Sequence, residues 1–211
     1  MLITRPNHDV TTNYLYFWSQ ELINQAKKNN LKVVDLAKKR ANAKEFNSVI
    51  KKIKPSLIVI NGHGNGSSVA GYDDEPLVIA GQNEIILNKA IVYARSCKSA
   101  ETLGPKSIKS GCKTYIGYDD DFVFVTEDNK LTKPLEDKTS EMFMEPSNYI
   151  VISLLKGHTT DDANQRSKKL FKHNIQKLTT SIATKEDNEL IPYLVWDYSH
   201  QVCLGDPNAA I

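Results

Sequence analysis

Apolar positions change period along this chain, and the changes mark its elements. Leu2-Ile3-Thr4 reads as a short strand. Leu15, Trp18, Leu22, Ile23 and Ala26 recur every three or four residues, so Tyr14 to Asn29 is expected to be a helix, with Thr11 and Thr12 as candidate caps. Leu31 to Leu36 is the next strand, and Phe46, Val49, Ile50 and Ile53 mark a second helix bounded by Pro55. The unbroken run Leu57-Ile58-Val59-Ile60 suits a strand covered on both faces, and it leads into Asn61-Gly62-His63-Gly64. Strand, helix, strand, helix, strand is the order of an α/β fold with a mostly parallel sheet.

Beyond His63 the pattern shortens. Asn65 to Ser68 reads as a loop and Gly71 to Asp74 as a turn. Leu77 to Ala80 and Glu84 to Leu87 are expected to pair as a hairpin across Gly81-Gln82-Asn83. A strand then runs through Ile91-Val92-Tyr93-Ala94-Arg95-Ser96 to Cys97. A helix is expected from near Ser99 to Gly104-Pro105 or Gly111, followed by a buried strand at Thr114 to Tyr118 and an extended stretch at Phe122 to Val125. Leu135 to Leu178 reads as helical with breaks at Pro146 and Gly157, and Ile191 to Leu204 as a late strand or extended tail. No repeat or linker divides the chain, so one domain over residues 1–211 is expected. Residues 1–128 would carry the core sheet, and 129–211 a helical part and the late strand.

Composition narrows the function classes. A net charge of +2 gives no steering toward nucleic acid or acidic lipid. No apolar run approaches the ~20 residues that span a bilayer, and the start lacks a basic segment followed by an apolar one. Three cysteines do not form a disulfide framework. A cytoplasmic protein with reduced thiols is the expectation, with no membrane and no nucleic-acid partner.

Two residues carry the candidate chemistry. Open α/β sheets place their sites beyond the carboxyl ends of their strands, and His63 and Cys97 each stand at such an end. A lone His is more often structural, but His63 lies between Gly62 and Gly64, which permit close backbone approach. A buried Cys is usually a small hydrophobe, and that description suits Cys112 and Cys203. Cys97 differs because a helix starting just after it would stabilise its thiolate. Together the two residues predict a thiolate–imidazole dyad. His200 and Cys203 make a single H-x-x-C pair, short of the four ligands of a structural zinc site. His8, His158 and His173 rank lower, and neither metal nor cofactor is expected.

Asn61-Gly62-His63-Gly64 and Ala94-Arg95-Ser96-Cys97, each after an apolar strand, resemble the catalytic signatures of the caspase-like (clan CD) cysteine peptidases. That group includes caspases, metacaspases, gingipains, clostripain, legumain, separase and bacterial CHAT domains. The resemblance covers roughly residues 1 to 125. Arg95-Ser96-Cys97-Lys98-Ser99 stands where caspases carry Gln-Ala-Cys-x-Gly, and the His-to-Cys spacing is shorter than the roughly 50 residues of caspases. The chain therefore looks closer to gingipain-like and CHAT-like members than to true caspases. The resemblance implies a three-layer α/β/α sandwich with a small hairpin between the His and Cys strands. It implies a cysteine endopeptidase acting on a protein or peptide substrate. Cys97 would attack the scissile carbonyl, His63 would move the proton, and the N–H groups of Gly64 and Cys97 would form the oxyanion hole. Members that cut after Arg or Lys hold an acid at the base of the S1 pocket. Here Asp120, within Asp119-Asp120-Asp121, or Asp197 beside Trp196 in the expected late strand would supply it. The solvated-turn reading of the three aspartates stands beside that one. Two other functions compete: an autoinhibited or silent caspase-like module regulated by a partner protein, cleavage or a ligand, and a flavodoxin-like ligand-binding α/β protein. No Gly-x-Gly-x-x-Gly or P-loop follows any strand to support the last.

Overall fold

The computed structural model describes residues 1–180 and 184–211. Its central sheet contains β1 (Leu2–Arg5), β2 (Val34–Ala37), β3 (Leu57–Asn61), β7 (Ile91–Arg95), β8 (Thr114–Tyr118) and β9 (Gln201–Gly205), in the order β2-β1-β3-β7-β8-β9. All neighbours are parallel except β9, which runs antiparallel to β8. A smaller antiparallel sheet, β4 (Gly64–Asn65), β5 (Ser68–Ala70) and β6 (Pro76–Ile79), lies between β3 and β7 in sequence. The helices are α1 (Val10–Trp18), α2 (Gln20–Lys28), α3 (Ala43–Ile53), α4 (Leu103–Lys109), α5 (Lys138–Leu155), α6 (Thr160–Leu178), α7 (Lys185–Asn188) and α8 (Ile191–His200). No described helix is long and apolar enough to cross a membrane.

The central strands β3, β7 and β8 are buried throughout because both sheet faces are covered. Ile3, Val59, Tyr93 and Ile116 pack with Leu15, Leu22, Ile150 and Val151 from α1, α2 and α5. The alternate residues Leu2, Ile58, Ile60 and Val92 pack with Phe46 and Ile50 of α3 and Leu103 of α4. Period-2 alternation thus sends each strand into two cores. A third cluster of Phe143, Phe171, Leu178 and Leu194 joins α5, α6 and α8.

Several elements depart from the pattern. The first long helix is two, α1 and α2, separated at Ser19, whose hydroxyl donates to the Leu15 carbonyl at 2.5 Å and competes with the helical ladder. Its cap is Asp9, not Thr11 or Thr12. The Asp9 carboxylate accepts the Thr12 N–H at 2.7 Å, and the Thr12 hydroxyl accepts the Asp9 N–H at 3.1 Å. Strand β2 begins at Val34 rather than Leu31. Glu84 to Leu87 is a short 3-10 turn, so the expected hairpin does not form. The Asn83 side chain instead closes the end of β6, accepting from Ile79 N–H at 2.7 Å and donating to Leu77 O at 3.0 Å. The pairing partner of β6 is β5, which starts at Ser68, the last residue of the expected loop, and continues through Val69 and Ala70. Phe122 to Val125 joins no strand.

Pro146 sits inside α5 without ending it. Its missing N–H orphans the Met142 carbonyl, and the Asn174 amide of α6 supplies a donor at 2.8 Å. The break at Gly157 is present, with φ of 85°. The expected late strand is α8 followed by β9. Aromatic and β-branched residues at Tyr193, Val195, Trp196 and Tyr198 suggested a strand, yet they are exposed, and the inward positions Leu190, Leu194 and Asp197 have helical spacing. Trp196 and Asp197 therefore stand on a helix.

Candidate active site

Strands β3 and β7 are adjacent and parallel, with Asn61 in register with Arg95. His63 and Cys97 each follow two residues later, at the same end of the sheet. The turn after β3 needs glycine twice. Gly62 has φ of 150°, and a Cβ there would lie 2.2 Å from the Ala70 carbonyl oxygen. A Cβ on Gly64 would meet Ser96 Cβ at 2.9 Å and the Cys97 carbonyl oxygen at 3.1 Å. The His63 and Cys97 loops are therefore in direct contact, and Gly64 is the point of contact.

The His63 ring is held from the first loop of the chain. Its Nε2 lies 2.6 Å from Asp9 Oδ2, while Asp9 Oδ1 caps α1. One carboxylate thus starts a helix and orients an imidazole. Burial pushes the Asp9 carboxyl up, but the Thr12 N–H and the His63 ring outweigh it and hold its pKa below the usual value. His8 stands edge-on to His63, with ring centroids 6.1 Å apart, and its Nε2 is 3.3 Å from Asp74 Oδ1. His8, His63 and Asp74 can each turn one donor atom into a group no more than 4.8 Å across.

Cys97 lies among acids rather than at a helix end. The expected helix begins only at Leu103, because Lys98 N–H donates to Asp120 O at 2.8 Å and Ala100 N–H to Tyr118 O at 2.9 Å. These bonds tie the chain to the end of β8 and delay the first helical turn. No helix terminus then favours the thiolate. Burial, followed by the carboxylates of Asp121 and Asp197, pushes the Cys97 thiol above its ordinary pKa. Sγ lies 3.7 Å from the Phe122 carbonyl oxygen. The resting group is a thiol, so nucleophilic attack requires a base to take its proton.

The remaining candidates flank Cys97. Asp120 and Asp121 are paired with the Lys98 ammonium at 3.5 and 3.8 Å. Trp196 Nε1 donates to the Asp121 carbonyl at 2.9 Å. Asp197 is fully buried; its Oδ1 accepts the Val123 N–H at 3.0 Å, while Oδ2 has no partner among the described residues. Burial pushes its carboxyl well above the usual range. Cys112 and Cys203 are pushed up to about 12 and about 11 by burial.

His8, Asp9, Asp74, Asp121 and Lys98 belong to this region without having stood out as site residues in the sequence. A signal for two of them was present. His8-Asp9 follows β1, which neighbours β3, and the strand-end rule that marks His63 applies there equally. A scan against protein-family models finds no match, and a search of curated proteins finds none.

Proposed function

We propose that this chain is a cysteine endopeptidase of the caspase-like type, its sheet and covering helices forming the three-layer α/β/α sandwich of that group. The supporting observation is the contact of Gly64 with Ser96 and Cys97, which brings the His63 and Cys97 loops together beyond two register-matched strands. Substrate binding displaces water from the thiol. The Cys97 proton passes to His63 as sulfur bonds to the scissile carbonyl carbon, and Asp9 stabilises the imidazolium. The oxyanion is received by the N–H groups of Gly64 and Cys97. His63 then protonates the leaving amine, and a water activated by His63 hydrolyses the thioester.

The acids around Cys97 favour a basic P1 side chain. Asp197 Oδ2 lacks a partner, and Asp120 and Asp121 already hold an ammonium, that of Lys98. The same pairing supports a second reading, an autoinhibited module in which Lys98 occupies the cation site until a partner protein or ligand withdraws it.

Cleavage of a fluorogenic peptide library varied at P1 tests both. The expected result is Arg/Lys-selective cleavage that Cys97→Ala and His63→Ala abolish. Cleavage surviving either substitution overturns the dyad. An inactive wild type that Lys98→Ala activates selects the autoinhibited form.

A further inference from the structure

The loop after β1 and the loop before β6 bring His8, Asp9 and Asp74 to His63, and the orienting role of Asp9 leaves His8 and Asp74 without a part in a peptidase dyad. His8 Nε2 lies 3.3 Å from Asp74 Oδ1 and 3.8 Å from Asp9 Oδ2, and His63 Nε2 lies 2.6 Å from Asp9 Oδ2. A tetrahedral ion with bonds of ~2.0–2.2 Å holds its ligands on edges of about 3.3–3.6 Å. The contacts of 2.6, 3.3 and 3.8 Å bracket that edge length, and the donor atoms of His8, His63 and Asp74 lie within 4.8 Å of one another, so small side-chain movements would bring the ligands onto one ion.

The surroundings fix these ligands. Asp9 Oδ1 is held by both the Thr12 N–H and hydroxyl at 2.7 Å, which aims Oδ2 at His63 and His8, where an ion would exchange the imidazole contact for a metal bond. The His8 ring packs edge-on against Tyr72 at 5.3 Å and is largely buried. Asp73 and Asp74 both adopt left-handed backbone, with φ of 58° and 57°, and this conformation brings the Asp74 carboxylate to His8. Two imidazoles exclude a preference for magnesium or calcium and suit zinc or a similar divalent transition ion.

The geometry points to a divalent transition-metal site formed by His8, His63 and Asp74 with Asp9, which withdraws His63 from proton transfer when filled. The binding claim stands on these residues alone; the inhibitory consequence rests on the peptidase reading. Occupied, the site engages the ring that must accept the Cys97 proton. Free of metal, that ring returns to Asp9. Metal would then act as a reversible brake at the base rather than at the sulfur.

Binding is measured on the full chain by cobalt titration, read from the visible bands of tetrahedral Co2+, and by zinc competition against a chromophoric chelator. One ion per chain is expected, with affinity unchanged in Cys97→Ala and reduced at least ~10-fold in His8→Ala and in Asp74→Asn. Circular dichroism of the two loop variants confirms that loss of binding is not loss of fold. Failure of the wild type to bind, or binding that depends on Cys97 and survives both loop substitutions, overturns the site. In the peptide assay, zinc should inhibit the wild type, and His8→Ala should be at least ~10-fold less sensitive. Equal sensitivity removes the brake. A wild type that binds metal but cleaves no peptide refutes the peptidase reading and leaves the metal site standing.

Discussion

Arg95 and Asn61 are register partners on β7 and β3, and the Arg95 guanidinium donates to Asn61 Oδ1 from Nε at 3.0 Å and from Nη2 at 2.7 Å. Asn61 stands two positions before His63, and Arg95 two before Cys97. Arg95 is fully buried, has no carboxylate partner among the described residues, and also donates to Asn148 Oδ1 of α5 at 3.0 Å. The Asn61 amide donates to the Thr4 carbonyl of β1 at 2.7 Å. A polar clamp thus crosses β1, β3, β7 and α5 just beneath the reactive ends.

Asn61→Ala leaves a buried cation with lost acceptors, and a loss of about 3 kcal/mol or more is expected. Arg95→Met removes the cation together with its need for acceptors and should cost less. Urea unfolding of the two variants checks the order. The reverse order would mean that the guanidinium is not the group requiring compensation.

Asp9→Asn separates two roles of one side chain. An Asn still caps α1, so stability should change little, whereas Asp9→Ala should cost about 1 kcal/mol. Loss of the charge facing His63 should lower kcat roughly 10- to 100-fold with KM nearly unchanged, by analogy with other groups that orient a functional imidazole. A rise in KM with kcat unchanged would place Asp9 in substrate binding instead.

Alkylation reports the state of the thiol. With its pKa raised, Cys97 should react slowly at neutral pH, and its rate should climb about tenfold per pH unit through and beyond the range of a free cysteine. It should still precede Cys112 and Cys203, whose values of about 12 and about 11 keep them protonated. A rate already at plateau near neutral pH would establish a resting thiolate and contradict the acidic setting.

Asp197 makes stability depend on pH. Its folded pKa lies above the unfolded value of about 4. The folded state therefore retains a proton that the unfolded chain releases, and stability is fully present below that value and declines as pH rises through the folded pKa. Asp197→Asn keeps an acceptor for Val123 N–H and removes the penalty. Its Tm should rise at pH 7, by the equivalent of roughly 1–3 kcal/mol, and little at pH 4. If Asp197 also lines the P1 pocket, the same variant loses Arg/Lys preference.

The parallel core and the ends carrying His63 and Cys97 were legible because fully buried strands must be apolar without interruption, and Leu57–Ile60 and Ile91–Ala94 meet that requirement locally. Elements whose state depends on a distant partner were not. Pro146 reads as a break until the Asn174 amide reaches the Met142 carbonyl, and Trp196 reads as strand until the Leu194 side of its segment is seen packed against α5 and α6. Cys97 shows the same limit in the site: the residues after it would suit a helix, but hydrogen bonds to the end of β8 keep the backbone in turns and leave the thiol facing Asp121 and Asp197.

The α/β alternation, the two strand ends and the glycines between them were readable from residue order, since these follow from short-range pattern and steric need. That Asp9 faces His63, that His8 and Asp74 join it, and that burial and nearby acids raise the Cys97 pKa emerged with the folded arrangement. Those facts depend on electrostatic and hydrogen-bond partners far apart in sequence, and no local periodicity encodes a distance of a few ångströms between residues 9 and 63.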